Sequence, residues 1–391
     1  MNNFQKKFLK IIKSGFSDED VTVDENFPWD RAVDFARDQC VDVMFWMGVQ
    51  KSGVNMPPTY HSMLQRRAMM MIANSVRQEN EARIIFDLLK QNNIEFLPLK
   101  GVILQYMYPE PAMRFMGDID ILIKTEQYKA IEQLMRNAGY DFDHESDHEY
   151  VWNKKNILYV EFHKKLIPSY NKDYFAYYGD GWQLVNQTAD EYKMSDEDFF
   201  IYIFTHLSKH YRRSGIGLKH FIDIWVYLRS KTGLDEQYIE GELVKLQLLE
   251  FYKNVRYTLQ VWFDGAEENE ASELITNRTF SVGVYGNSKN GVFSSAVSMA
   301  ADSLREDNYR TVRLLHAVFC PYTTMCKKYT FLKKFPVLLP VMWCVRIVTA
   351  LLFRRENIKK VNTEISMLTD DNVNEYHREL KKVGIDFNFK K

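Results

Sequence analysis

The sequence has few cysteines, and no two of them are spaced like the ligands of a metal site. Cys40, Cys320, Cys326 and Cys344 are scattered over 391 residues without a C-x-x-C motif. A disulfide framework needs a higher density of cysteine, and a structural zinc site needs closely spaced pairs of ligands. We therefore expect reduced thiols and a cytoplasmic location.

The sequence also lacks an excess of charge of either sign. It has 51 Lys and Arg against 52 Asp and Glu, which gives a formal net charge of −1. Proteins that hold DNA or RNA mainly by neutralising phosphates need an excess of basic residues. A nucleic-acid partner is therefore not expected, whereas a small charged ligand bound in one pocket is compatible with this balance.

No internal repeat, low-complexity tract or long linker interrupts the chain, so its organisation follows from the hydrophobic pattern. Hydrophobic residues make up 46% and aromatic residues 14%, which excludes global disorder. Apolar residues at helical spacing predict helices before residue 94 and again from about Ser195, whereas short alternating runs between them predict strands. We therefore predict an α+β chain with a small mixed sheet in residues 94–170 and helical regions at 1–93 and 171–391.

An Asp-Ile-Asp motif begins one of the predicted strands, Asp118–Lys124. Side chains alternate between the two faces of a strand, so Asp118 and Asp120 share one face and the isoleucines share the other, which faces the core. Two neighbouring carboxylates repel each other unless a cation lies between them. Hard oxygen ligands of this kind suit Mg²⁺, which is normally shared with the phosphates of a substrate.

A third carboxylate, Glu161, lies in a later predicted strand, Ile157–His163, where it shares a face with Tyr159 and His163. If this strand lies beside the Asp-Ile-Asp strand, three acids converge at one edge of the sheet. Such a set can hold two metal ions about 3.5–4 Å apart, the arrangement that serves in-line phosphoryl displacement. Two interpretations of His163 stay open: it orients a substrate or acts as an acid or base, or it supports Glu161 through a hydrogen bond.

A lysine and a glycine mark the junction between a predicted strand, Ile94–Leu99, and a predicted short helix, Gly101–Met107. Glycine at such a junction lets backbone N–H groups approach a phosphate, with help from the partial positive charge of a helix N-terminus. Lys100 would add a point charge, and Arg114, four residues before the first aspartate, would add a bidentate donor. We therefore expect Lys100, Gly101 and Arg114 to contact the phosphates of a ligand.

The ordered set of Leu-Lys-Gly, Arg114, Asp-Ile-Asp and Glu161 resembles the polymerase-β-type nucleotidyltransferase superfamily. Within it, the closest likeness is to an uncharacterised bacterial nucleotidyltransferase family with Leu-Lys-Gly and Arg-x-x-x-Asp-(Ile/Leu)-Asp signatures. The lincosamide and aminoglycoside nucleotidyltransferases share the layout more distantly. The resemblance covers residues 96–166 and implies a nucleotidyltransferase core in the small sheet, with Asp118, Asp120 and Glu161 as the catalytic, metal-binding acids.

The resemblance also implies an activity. Mg²⁺ or Mn²⁺ would position an NTP, with ATP the expected nucleotide, and a hydroxyl of a small molecule or a protein would accept the NMP while pyrophosphate leaves. Lys100, Gly101, Arg114 and His163 would bind the nucleotide. The superfamily usually has Gly-Ser or Gly-Gly where this chain has Lys100-Gly101, and Val102 supplies no hydroxyl. The alternative is therefore a catalytically weak or inactive module that binds a nucleotide or a protein.

One further acid, Asp223, lies on a predicted helix, Leu218–Leu228. It could be the general base that deprotonates the acceptor hydroxyl. The favoured interpretation is an acid in the N-terminal turn, where the helix dipole stabilises negative charge.

A long apolar segment, Phe335–Phe353, has two lysines before it and two arginines after it. Its prolines restrict the predicted helix to Val341–Phe353, which at about 20 Å is shorter than the roughly 30 Å hydrocarbon core of a membrane. A buried core helix is the favoured interpretation. Peripheral contact with a membrane is the alternative, because basic flanks favour anionic lipid.

Overall fold

The computed structural model describes residues 1–17, 20–23, 26–155, 158–188, 191–286, 290–295, 297, 309–353 and 355–385. These residues form two compact units, of which the first contains Met1–Lys209, Ile216–Tyr285 and Val383–Ile385, and the second contains His210–Gly215 and Gly286–Lys382. The chain is α+β, as predicted, since it combines helices with a five-stranded mixed sheet. The division into 1–93, 94–170 and 171–391 stays a prediction.

Apolar residues at helical spacing predict a helix over Tyr60–Gln91, which is confirmed and is the longest of the four helices that precede the sheet in the described residues. Their bounds are α1 (Asn3–Ser14), α2 (Trp29–Asp38), α3 (Asp42–Lys51) and α4 (Pro58–Gln91). Helices α1 and α3 approach each other closely, because a Cβ atom built at Gly48 of α3 would overlap the carbonyl oxygen of Ile11 on α1. Glycine at position 48 is therefore a packing requirement of this helix pair.

The sheet mixes parallel and antiparallel pairing in the spatial order β1-β2-β5-β4-β3. Its strands are β1 (Phe96–Pro98), β2 (Asp118–Ile123), β3 (Asp141–Glu145), β4 (Glu149–Lys154) and β5 (Leu158–His163). β2 and β5 are parallel neighbours, and the other adjacent strands are antiparallel. A parallel pair needs a long crossover connection, which here contains helix α6 (Tyr128–Asn137) and the β3–β4 hairpin.

One face of the sheet forms the core of this region. Ile119, Ile121 and Ile123 of β2 are fully buried, and so are Val160 and Phe162 of β5. They cluster with apolar residues of α4 and α6. The alternation predicted for both strands is confirmed, and it leaves their polar residues together on the opposite face.

Helices and two short strands complete the first unit, and α8 continues into the second. The bounds are α5 (Gly101–Leu104), α7 (Lys172–Tyr178), α8 (Asp196–Arg213), α9 (Leu218–Ser230), α10 (Glu236–Lys245), α11 (Leu249–Phe263), α12 (Glu270–Phe280), β6 (Asn186–Gln187) and β7 (Tyr192–Lys193). The Ser195 hydroxyl accepts a hydrogen bond from the N–H of Asp198 at 3.0 Å, which confirms the predicted start of α8. The first turn of α9 contains no acidic residue, so the N-terminal-turn interpretation of Asp223 is wrong.

The sequence predicts Thr125 as the N-cap of a helix and a hairpin turn region over residues 141–150, and the structure differs from both predictions. Thr125 does not cap α6: a 3-10 turn occupies Thr125–Gln127, and α6 begins only at Tyr128. The acidic stretch at residues 141–150 was expected to be the turn region of a hairpin. Instead, β3 uses residues 141–145 and β4 begins at Glu149, so only residues 146–148 connect them.

The second unit is helical in its described residues. Its helices are α13 (Tyr309–Val318), α14 (Tyr322–Lys328), α15 (Leu339–Phe353), α16 (Arg355–Met367) and α17 (Asp370–Lys382). α15 begins two residues earlier than predicted, because Pro340 lies in the first turn, where a missing N–H costs nothing.

The interpretation of Phe335–Phe353 as a buried core helix is wrong. Val341, Val345, Val348 and Leu352 are all exposed, and they follow one another along one side of α15. Among the helices that the structure describes, none is long and apolar enough to cross a membrane. One side of the segment therefore presents apolar surface that is not buried.

Candidate active site

Four of the predicted site residues lie on the polar face of the sheet. In the parallel pairing of β2 with β5, Asp120 stands opposite Glu161, and Asp118 stands opposite Tyr159. Residues directly opposite each other share a face, so Asp118, Asp120, Glu161 and His163 project to the same side. The adjacency of the two strands, on which the predicted convergence depended, is therefore present.

Lys100 binds the central aspartate of this group. Its Nζ lies 3.1 Å from Oδ1 of Asp120, and both side chains are largely buried. Lys100 follows β1 directly and has a φ of 41°, a strained backbone conformation for a residue with a side chain. Strain of this kind persists only where the surrounding structure holds it, and here it accompanies a side chain directed at Asp120.

The charges of this pair are set by their surroundings. Burial lowers the pKa of Lys100, but the Asp120 carboxylate outweighs burial, and the pKa lies well above its usual value. Burial likewise raises the pKa of Asp120, but Lys100 and His163 hold it well below the usual range. Lys100 is therefore an ammonium ion and Asp120 a carboxylate across the physiological range.

His163 is the second partner of Asp120. Its Nε2 lies 2.7 Å from Oδ1 of Asp120 and 3.5 Å from Oε2 of Glu161. Burial lowers the pKa of His163, but these two carboxylates outweigh burial and raise it to about 9. Its other ring nitrogen, Nδ1, is buried and has no hydrogen-bond partner among the described residues. The interpretation in which His163 supports the carboxylates therefore agrees with its contacts, although Asp120 is the nearer of the two.

Asp118 differs from Asp120 in its electrostatic surroundings. Burial, followed by repulsion from Asp120 and Glu161, raises the pKa of Asp118 to about 7, and Lys100 and Lys219 offset only part of this. One ligand atom each from Asp120, Glu161 and His163 also lies within 4.8 Å of the others. Asp118 is not part of this group. Carboxylate oxygens crowded in this way are donors that a divalent cation takes, so the group could hold a metal ion.

Arg114 is bound by an acid from a distant helix. Its Nε and Nη2 donate to Oδ1 and Oδ2 of Asp223 on α9, at 2.8 and 3.1 Å, and both side chains are about 6% exposed. The Tyr108 hydroxyl donates to Oδ1 of the same carboxylate at 2.7 Å. The bidentate geometry expected for Arg114 is thus used within the protein, and its predicted contact with a phosphate stays a prediction.

Gly101 lies beneath this ion pair. A Cβ atom built at Gly101 would be 2.9 Å from Nη1 of Arg114 and 3.1 Å from Sδ of Met116. Any side chain here would require Arg114 or Met116 to shift. Close packing against the arginine is therefore one reason for glycine at this position, and contact with a phosphate stays a prediction.

Lys219, which the sequence reasoning missed, also lies near the carboxylates. Its Nζ donates to the carbonyl oxygen of Phe115 at 3.1 Å. Burial and the nearby Arg114 lower its pKa, although Asp118 and Asp223 act in the opposite direction. One feature of the sequence could have indicated Lys219 as a site residue. It lies four residues before Asp223 on α9, so the two side chains share a helix face.

A second group of possible metal ligands adjoins the first. His148, Glu149 and His163 each offer one ligand atom within 4.8 Å of the others. Glu149 stands opposite His163 in the β4–β5 pairing, and its Oε2 lies 2.8 Å from Nε2 of His148. Burial raises the pKa of Glu149, but His148 and His163 outweigh it and bring the pKa to about 2. The Glu149 carboxylate therefore balances the imidazoles beside the main group.

The sequence comparisons identify one family. The family model described as an uncharacterised nucleotidyltransferase matches residues 25–264, which is 240 of the 391 residues and more than half of the chain. The matched range contains every residue of the site described above. No curated protein and no solved structure matches this chain.

Proposed function

We propose, from the premise that this chain belongs to the uncharacterised nucleotidyltransferase family, that it transfers a nucleoside monophosphate from an NTP to a hydroxyl group. The acceptor oxygen would attack the α-phosphorus, the bond from that phosphorus to the bridging oxygen would break, and pyrophosphate would leave as the hydroxyl proton is released. The acceptor class includes hydroxyls of small molecules and of proteins. ATP is the first nucleotide to test.

One observation supports this proposal best: the carboxylates of Asp118, Asp120 and Glu161 are gathered on one face of two parallel, adjacent strands. A structural role alone would not favour this arrangement, because burying like charges together is costly. The raised pKa of Asp118 reflects that cost. Perturbed carboxylates grouped in this way are typical of a functional site.

We propose that these three acids hold a divalent cation, Mg²⁺ or Mn²⁺. A cation bound there would neutralise charge on the triphosphate and polarise the phosphoryl group under attack. Oδ1 of Asp120 already accepts from Lys100 and His163. The second oxygen of Asp120 and the carboxylates of Asp118 and Glu161 are therefore the ligands that we assign.

The basic side chains of the site have different roles in this proposal. Lys100 and His163 fix Asp120 in its ionised form, and Lys100 is the basic group that we place nearest the phosphates. Arg114 and Asp223 hold the loop that leads into β2. Asp223 already accepts three hydrogen bonds, so we assign it a positioning role instead of the role of general base.

The alternative, a nucleotide-binding or protein-interaction module without turnover, has two observations in its favour. Lys100 supplies an internal cation to Asp120 and so reduces the charge left for a metal ion. Val102, where the related superfamily usually has a hydroxyl, is buried. If this alternative is correct, the protein binds an NTP with Mg²⁺ but releases no pyrophosphate.

Nucleotide binding and pyrophosphate release together test the proposal. Calorimetry with ATP, CTP, GTP and UTP, with and without Mg²⁺, would measure binding. A pyrophosphate assay with metabolite and protein fractions of the source cells as acceptors would measure transfer. We expect Mg²⁺-dependent binding of at least one nucleotide and acceptor-dependent release that the double variant Asp118→Ala/Asp120→Ala abolishes.

The chain offers a matched control for this variant. Asp141 and Asp143 form a second Asp-x-Asp on a strand, but β3 is an edge strand whose side chains are all exposed. Asp141→Ala/Asp143→Ala should therefore leave binding and release unchanged. Turnover that survives in the Asp118→Ala/Asp120→Ala variant would refute the proposed site, and Mg²⁺-dependent binding without release would favour the alternative.

A further inference from the structure

Exposed apolar side chains concentrate in one part of the second unit. Of the 25 large apolar side chains that are exposed among the described residues, 13 lie between Leu314 and Phe353. Four of them, Val341, Val345, Val348 and Leu352, form a stripe along α15, because their spacings of four, three and four residues match the helical repeat. Scattered exposed apolar residues are normal on a protein surface, but a continuous set of this size marks a binding surface.

The turn before α15 extends this stripe. Phe335 and Val337 are 57% and 84% exposed, and Leu338 is exposed as well. We call these three residues and the four residues of the stripe, seven in all, the α15 surface. All seven lie within 18 consecutive residues, in α15 and the turn directly before it.

The opposite side of α15 is attached to the rest of its unit. Nε1 of Trp343 donates to the carbonyl oxygen of Cys320 at 2.8 Å, and Nη1 of Arg346 donates to that of Ala317 at 2.6 Å. Met342 and Trp343 also pack against a small buried cluster around Leu332. These contacts fix the rotation of the helix about its axis, so the α15 surface faces outward as a consequence of how the unit folds.

The charge of this segment has one sign, although the whole chain is balanced. Residues 308–355 contain no Asp or Glu, and their nine basic residues are Arg310, Arg313, Lys327, Lys328, Lys333, Lys334, Arg346, Arg354 and Arg355. Lys333 and Lys334, which immediately precede the α15 surface, are exposed. An exposed apolar area bordered by basic residues can bind a partner that has an apolar interior and an anionic boundary.

We propose that the α15 surface docks the protein on an anionic lipid bilayer, with α15 lying in the plane of the interface. Its 15 residues extend about 22 Å along the helix axis, less than the roughly 30 Å hydrocarbon core, so the helix lies along the membrane and does not cross it. The apolar stripe enters the headgroup region, and the lysines contact lipid phosphates. The charge of one sign favours this occupant over a second copy of the chain, since two such segments repel each other.

Vesicle co-sedimentation of the full chain tests this proposal. The probes are vesicles of phosphatidylcholine alone and of phosphatidylcholine with an equal part of phosphatidylglycerol. We expect binding to the anionic vesicles only, and weakening as salt screens the basic residues. Because each basic residue near an anionic surface strengthens binding about fivefold, Lys333→Gln/Lys334→Gln should weaken it roughly 25-fold.

A second variant tests the apolar stripe. Val345→Gln/Val348→Gln should weaken binding at least about tenfold, since both valines are exposed and their burial in lipid is lost. Val76→Gln/Ile84→Gln on α4 is the matched control, because these apolar residues are similarly exposed on a helix, and it should bind like the wild type. Lys6→Gln/Lys10→Gln, on exposed positions of α1, controls for the loss of two charges in the same way.

Three outcomes would overturn the proposal. The first is a wild-type protein that fails to sediment with anionic vesicles. The second is unchanged sedimentation of both the valine and the lysine variants, each shown by circular dichroism to be folded. The third is a wild-type dimer in light scattering that Val345→Gln/Val348→Gln converts to a monomer, since the α15 surface would then bind a second copy.

Discussion

Lys100 Nζ lies 3.1 Å from Oδ1 of Asp120, and the two side chains are 15% and 6% exposed. An internal ammonium ion is thus bound to the central carboxylate of the group that we propose holds a divalent cation. The two cations compete for the negative charge of Asp120, and His163 shares it as well. The affinity of the site for a metal ion therefore depends on Lys100.

Replacing Lys100 by Met removes one partner of this buried pair. We expect the free energy of unfolding to fall by about 3 kcal/mol without Mg²⁺, the lower end of the range for a broken buried pair, because His163 still contacts Asp120. The thermal shift on adding Mg²⁺ should be larger in the variant than in the wild type, since the uncompensated carboxylate attracts the cation more strongly. Lys154→Met, which breaks the more exposed pair with Glu81, should cost about 1 kcal/mol or less. Equal losses in the two variants would contradict this account.

Asp223→Ala should destabilise the protein by about 3–5 kcal/mol in urea unfolding, since it leaves the Arg114 guanidinium buried without its partner. In the double variant Arg114→Met/Asp223→Leu both charges are gone, so the loss should be smaller than the sum of the two single losses. Additive losses would mean that the two side chains do not depend on each other.

The raised pKa of Asp118 predicts a pH dependence of stability. Its pKa is about 7 in the folded protein and about 3.9 in an unfolded chain, so the folded state holds the extra proton between these pH values. Asp118 therefore stabilises the folded state fully below about pH 4. This stabilisation decreases by at most about 1.4 kcal/mol per pH unit as the pH rises, and it is lost at about pH 7. Asp118→Asn should remove this dependence, and the stability of the variant relative to the wild type should increase from pH 4 to pH 7. A constant difference across this range would show that Asp118 titrates normally.

Gly48→Ala tests the close approach of α1 and α3. The added methyl group would overlap the Ile11 carbonyl oxygen, so we expect a loss of about 3 kcal/mol in the free energy of unfolding. Gly241→Ala on α10 is the matched control, because no atom lies within 4 Å of its Cβ position. That variant should gain about 0.5–1 kcal/mol through helix propensity. Destabilisation by both substitutions to the same extent would contradict the packing argument.

The polar face of the sheet could be predicted from the sequence because it depends on a local rule. Side chains alternate along a strand, so Asp118 and Asp120 had to share a face, and so did Glu161 and His163. The adjacency of their strands could not be predicted in this way, since parallel strands distant in sequence leave no local signal of their pairing. The structure shows this adjacency in the β2–β5 pairing.

The surroundings of the site could not be predicted in the same way. Arg114 and Asp223 are 109 residues apart, and nothing in either local sequence indicates that they pair. The sequence favours a buried helix in Phe335–Phe353, because apolar segments normally enter a core. The structure exposes it instead, since only the side of α15 with Trp343 and Arg346 packs inward.

Nucleotidyl transfer is the central claim, and the fate of labelled phosphate tests it most directly. The protein would be incubated with Mg²⁺, acceptor fractions of the source cells, and ATP labelled with ³²P at either the α- or the γ-phosphate. The proposal predicts that α-label becomes attached to an acceptor, that γ-label appears only in pyrophosphate, and that Asp118→Ala/Asp120→Ala abolishes both while Asp141→Ala/Asp143→Ala changes neither. Attachment of γ-label to the acceptor, or α-label transfer that persists in the Asp118→Ala/Asp120→Ala variant, would contradict it.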